Sequence, residues 1–191
     1  SQLGYHESIL NFRVDNDGNH KGYTRYGEWY GNPYGDWCAM FVSFCLKYAG
    51  IDEEIVPQNA NCNTWMSDLD DRGLFNEAET YVPEEGDIVF FRQHSKTKAD
   101  HIGIVKEVQL GTKEVTQHFM SNGKSIESGA MNLLSYLDEL GIDSDMSVTP
   151  DSEEPVLTTE TVEVTVAESI TVIEGNSADK VNEVTYSLPD D

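Results

Sequence analysis

An α+β fold, with N-terminal helices packed on a small antiparallel sheet, is predicted by two features of this 191-residue sequence. The segment CAMFVSFCLKYAG sets Met40, Phe41, Phe44, Cys45 and Tyr48 at helical spacing. Four short apolar runs, joined by brief turns, come later in the chain. Helices followed by a group of strands, without strict alternation, are the mark of an α+β arrangement. The length suits one domain, residues 1–191, with a core of its own.

Residues 1–12 read as the end of a short helix, and Asp17-Gly18 as a turn. YTRYGEWYGNPYGDW has neither period and is expected to be a structured, aromatic loop. The main helix follows, with Asp36 at or near its N-cap, Lys47 in its last turn and Gly50 as its stop. Residues 63–75 form a second short helix, stopped by Gly73. Strands are expected at Asp87–Phe91, at Ile102–Val108, over SITVIEGN and at Val184–Leu188. Residues 109–160 break this rhythm and read as an acidic insertion, partly ordered at best, with one amphipathic helix in MNLLSYLDELG. Asp138 to Glu168 holds ten acidic residues and no basic one. TVEVTV, at its end, is expected to form a hairpin with SITVIEG.

Twelve basic residues against 35 acidic ones leave a net charge of −23. That surface excludes nucleic-acid binding, which depends on Lys and Arg meeting phosphates. No stretch is apolar and long enough to span a bilayer, so no membrane insertion is expected. The chain starts at Ser1 and reads as a piece of a longer parent with other domains, itself monomeric. Three cysteines do not make a disulfide scaffold. Cys38 and Cys45 are two turns apart on one helix, about 10 Å, too far to bridge. Cys45 and Cys62 read as packing thiols, with a bridge between those two the one pairing left open.

Cys38 falls in the first turn of the main helix, where the helix dipole favours a thiolate. It needs a histidine from elsewhere. Of His6, His20, His94, His101 and His118, only His101 opens a well-defined strand. Such a strand is a rigid platform for a base. The imidazole in turn needs an acceptor to fix its tautomer. Glu174 and Asn176, two apart at the end of a strand, are expected on one face, either both aimed at the imidazole or one of them at the substrate.

The motifs GDWCAMFVS, GDIVFF, DHIGIV and IEGN, in that order, resemble a CHAP domain, a cysteine, histidine-dependent amidohydrolase/peptidase. The resemblance covers residues 1–108 and 168–188. It implies a papain-like, NlpC-type fold, with Cys38 as nucleophile, His101 as base, and Glu174 and Asn176 completing the catalytic set. It further implies a peptidoglycan peptide as substrate, acyl transfer without metal or other cofactor, and a place outside a bacterial cell, in its wall or on its surface. The bond cut is either the sugar–peptide amide (amidase) or one within the peptide (endopeptidase). Trp37 stands where some members carry Gln, so the oxyanion hole needs another donor. The Cys38 main-chain N–H and the hydroxyls of Tyr26 and Tyr34 are the candidates.

Each residue also has a plainer reading. Cys38 could be a buried packing thiol, His101 a core histidine, and Glu174 and Asn176 strand-end residues. Their joint order favours chemistry. Tyr26, Tyr34 and Trp37 are the candidates for lining a substrate groove, and the rest of the aromatic cluster reads as packing. Asp15-Asn16-Asp17-Gly18-Asn19 resembles the start of a calcium loop but lacks a Glu at the twelfth position, so it reads as a solvated hairpin turn. Two other functions fit the same scaffold: a non-catalytic cell-surface binding module, and a cysteine protease acting on proteins.

Overall fold

A computed structural model describes residues 2–78, 81–92, 97–120, 125–126 and 157–188. His94, the helix expected in MNLLSYLDELG and acidic residues 138–156 lie outside the described residues. The chain divides into two compact units, one of Ser1–Gly111 with Ala167–Asp191, the other of Thr112–Val166. The elements in order are β1 (Phe12–Val14), β2 (His20–Gly22), α1 (Arg25–Tyr30), α2 (Cys38–Tyr48), α3 (Cys62–Asp71), β3 (Ile88–Phe91), β4 (His101–Met120), β5 (Ser125–Ile126), β6 (Leu157–Ser177) and β7 (Lys180–Ser187). After the small β1–β2 pair, three helices precede the main antiparallel sheet, the α+β class expected. The main sheet runs β3-β4-β6-β7, with β5 paired to β4.

Four local expectations need correction. Residues 1–12 are not helical: Gly4 N donates to Val181 O, and Val181 N to Tyr5 O, so the N-terminal segment lies along β7. Gly4 sits at φ 80, a conformation that breaks a helix. The aromatic loop contains a helix, α1. Thr24 caps it by accepting from Gly27 N, and Gly31 ends it at φ 95. Six residues are too few to display a period, so only these caps announce it. The cap of α2 is Trp37, whose side chain makes no capping bond, and Asp36, one residue before it, does not cap but pairs with Lys21 at 2.7 Å. Last, TVEVTV and SITVIEG are not a hairpin but one strand, β6. Val162, Val164, Val166, Ile170 and Val172 share one phase of the alternation, and Ala167-Glu168 between them has no turn chemistry.

The hairpin turn at Asp15 is as expected. Its Oδ1 accepts from the backbone of Asp17 and Asn19, and β1 pairs with β2 around it. Among the described residues, no helix is long and apolar enough to cross a membrane.

The core packs α2 against the sheet. Tyr26, Trp37, Met40, Phe41, Val42, Trp65 and Ile102 are all at most 2 % exposed. Truncating one of the buried aromatics to Ala would cost about 3–5 kcal/mol. Two glycines set how closely the layers meet. A Cβ on Gly175 would lie 2.4 Å from Phe41 Cβ, so the end of β6 presses directly on α2. A Cβ on Gly103 would lie 2.3 Å from Val172 Cγ1 and 3.1 Å from Glu174 Cγ, so β4 and β6 also approach closely.

Candidate active site

Cys38 is the first residue of α2, where unpaired main-chain N–H groups face outward from the helix end. His101 opens β4 and pairs in register with Phe91 of β3. Glu174 lies near the end of β6. The close contacts at Gly103 and Gly175 bring these three elements to one point. His101 Nε2 stands 3.1 Å from Glu174 Oε2, and the Cys38 thiol is within hydrogen-bonding reach of the imidazole. With Nε2 engaged by the carboxylate, Nδ1 is the ring nitrogen left for the sulfur. Cys38 is 7 % exposed, the His101 side chain 14 % and Glu174 1 %.

The environment separates charge between sulfur and ring. Cys38 is lowered to about 5, chiefly by a hydrogen bond from Cys62; burial opposes this, and His101 and the Ala39 backbone N–H add to it. Burial pushes His101 down, but hydrogen bonds to Cys38 and Glu174 outweigh it and raise the imidazole to about 9. Between those values the pair exists as thiolate and imidazolium. Burial alone would also disfavour the Glu174 carboxylate. Hydrogen bonds from His101, Tyr186 and Ser177 nevertheless hold its pKa below the usual value. A carboxylate buried this far is stable only when its oxygens are paired in this way.

The sequence did not show that two further residues belong to the site. Cys62, read there as packing, is the first residue of α3, and its sulfur lies 3.6 Å from that of Cys38. Cys62 is raised by its bond to Cys38 and by burial, so it is the donor of the pair. Its partner is Cys38 rather than Cys45, and all three cysteines are free. Ser43 and Asn59 hold α3 in place: Ser43 Oγ donates to Asn59 O at 2.9 Å and accepts from Asn59 N at 3.2 Å. Asn61 then caps α3 by accepting from Thr64 N. Tyr186 of β7 donates to Glu174 Oε1 at 2.6 Å. An N-cap Asn before Cys62 was the available signal for a second helix start bearing a thiol; nothing in the sequence marks Tyr186.

Other expectations are not met by the geometry. Asn176 does not share the Glu174 face. The β6–β7 register shifts between Glu174 and Ser177, and Asn176 sits at φ 58. A bulge of this kind re-aims the side chains after it. Tyr26 and Trp37 are not groove residues: they are 0 % and 1 % exposed and stack on each other at 5.4 Å. Nor are the two tyrosines free to be oxyanion donors, since Tyr26 Oη donates to Gln2 Oε1 and Tyr34 Oη to Asn11 Oδ1. Trp37 Nε1 donates to Glu7 Oε2 at 3.1 Å. Tyr34 is half-buried, with the Arg13 guanidinium 4.5 Å over its ring. Among the described residues, no group of three His, Cys, Asp or Glu is placed to hold a metal ion.

Residues 28–118 match the family model of the CHAP domain, a span that holds Cys38, Cys62 and His101 but stops short of Glu174. Neither the curated proteins nor the solved structures compared with the chain give a match. With that match and the sulfur–imidazole pair inside it, residues 28–118 are similar to the CHAP domain, a cysteine- and histidine-dependent amidohydrolase/peptidase domain.

Proposed function

We propose that this domain is a cysteine-dependent peptidoglycan hydrolase that cuts an amide bond of the cell wall by acyl transfer, acting outside the bacterial cell. The observation that carries the reading is the buried chain from Cys38 through His101 to Glu174, ionised across neutral pH.

The Cys38 thiolate attacks the amide carbonyl. The carbonyl electrons move to oxygen, where the Cys38 main-chain N–H at the helix start is the assigned donor. His101, as imidazolium, gives its proton to the leaving amine, and the C–N bond breaks to leave a thioester. Neutral His101 then takes a proton from water, whose oxygen attacks the thioester and frees Cys38. Glu174 holds the ring through Nε2 at each stage and balances its charge. A thiol on a helix start facing an imidazole on a strand also supports the papain-like architecture.

The test is digestion of purified sacculi followed by mass spectrometry of the released fragments. Wild-type protein should release them, with a new amino terminus on alanine for an amidase or within the stem or bridge for an endopeptidase. Cys38→Ala should release none. Turnover by Cys38→Ala at the wild-type rate would sink the mechanism. Sacculus binding without cleavage at any pH would instead indicate a binding module.

A further inference from the structure

Hydrolysis as described needs one thiol, yet the site holds two. Cys38 opens α2 and Cys62 opens α3, and their sulfurs are 3.6 Å apart. A disulfide bond is about 2.05 Å long, so closing the gap takes about 1.5 Å of sulfur movement. Both residues are 7 % exposed. That setting admits a molecule the size of water more readily than a bulky thiol. The two thiols differ in the way that such chemistry needs. One is held as thiolate by its neighbours, and the other keeps its proton.

We propose that Cys38 and Cys62 form a reversible redox latch, in which hydrogen peroxide oxidises Cys38 and Cys62 resolves the product into an intrachain disulfide. The Cys38 thiolate attacks one peroxide oxygen. The S–O bond forms, the O–O bond breaks, and hydroxide leaves to become water on taking a proton. Sulfur is oxidised by two electrons to the sulfenic acid, and the peroxide is reduced. The Cys62 sulfur then attacks the sulfenic sulfur. The S–S bond forms, the S–O bond breaks, and the departing hydroxide takes the Cys62 proton as a second water. Two thiols and one hydrogen peroxide thus give one disulfide and two waters. The disulfide blocks the nucleophile, and an added dithiol restores both thiols by exchange. The latch rests on the reading of Cys38 as a reactive thiolate, but it is detected by mass and not by turnover.

The experiment treats the whole chain with hydrogen peroxide at neutral pH, caps remaining thiols by alkylation and maps the peptides. A Cys38–Cys62 cross-linked peptide is expected, with Cys45 alkylated throughout. Alkylation of Cys38 should fall at least tenfold and return after dithiothreitol. In Cys62→Ser, Cys38 should instead advance to the sulfinic acid, which dithiothreitol does not reverse. Cys38 sulfinic acid beside an intact Cys62 thiol in the wild type would overturn the latch. So would a bridge to Cys45 or to a second chain, or a Cys38 thiol left unoxidised. A cross-link in protein that releases no wall fragments even when reduced would sink the hydrolase reading and leave the latch standing.

Discussion

The Tyr186 hydroxyl donates to Oε1 of Glu174 at 2.6 Å while Oε2 of the same carboxylate meets His101 Nε2 at 3.1 Å. The two oxygens of one buried group are thereby shared between a β7 phenol and the imidazole. Tyr186→Phe deletes the first contact and keeps the ring that packs 4.7 Å from Phe91. A buried hydrogen bond to a charged group is worth about 1.5–3 kcal/mol. Chemical denaturation should show a loss of that order at neutral pH. The alkaline limb of hydrolysis should hold or move to higher pH, because a carboxylate relieved of the phenol's hydrogen bond is more basic and the stronger partner for imidazolium.

The dependence of wall hydrolysis on pH follows from the two shifted groups. The thiolate forms as pH rises through about 5, and the imidazolium is lost as pH rises through about 9. Both active forms coexist only between these values, so kcat/KM should trace a plateau with an acid limb near 5 and an alkaline limb near 9. Alkylation of Cys38 by iodoacetamide should rise along the same acid limb. A thiol reacting only with a midpoint near the ordinary cysteine value would contradict the ion pair.

Cys62 is the largest influence lowering Cys38. Cys62→Ala removes that donor, so the thiolate becomes harder to form and the acid limb should move to higher pH. The alkylation midpoint of Cys38 should rise with it, while the Cys45 midpoint stays fixed. An unchanged acid limb would mean that His101 and the helix end alone ionise Cys38.

What could be read in advance was what short-range pattern encodes. The period of α2 put Cys38 at a helix start, and the apolar run after His101 put the imidazole on a strand. Glu174 was legible from its place at the end of a strand. Convergence of elements was not legible. The Cys62 contact depends on Ser43 and Asn59, which join α2 to the approach of α3, and no periodicity reports such a join. Tyr186 reaches Glu174 only because β7 returns beside β6, a long-range register. The same bulge that makes Ser177 a partner of Glu174 turns Asn176 out of the expected face, since alternation holds only while pairing is regular. Tyr26 and Trp37 looked like groove residues from composition. Their stacking in the core is a matter of packing that composition does not carry.

Gly175 tests whether the close approach of β6 to α2 assembles the site. It directly follows Glu174, and Phe41 lies one helical turn beyond Cys38. A methyl group at Gly175 would fall 2.4 Å from Phe41 Cβ, an atom fixed to the helix backbone that cannot swing away. Gly175→Ala must therefore move the strand end off the helix, at a cost of about 1–3 kcal/mol for overpacking. The same displacement draws Glu174 and its imidazole away from the sulfur. A misplacement of about 1 Å can cost about a hundredfold in rate, so kcat should fall much further than stability alone explains. Gly111→Ala is the matched control: the three atoms nearest its Cβ, from Oε1 to Cγ at 2.9 Å, all belong to the exposed and flexible side chain of Glu168. That variant should keep both its denaturation midpoint and its rate, and equal losses in the two variants would show that the effect is not specific to the contact between β6 and α2.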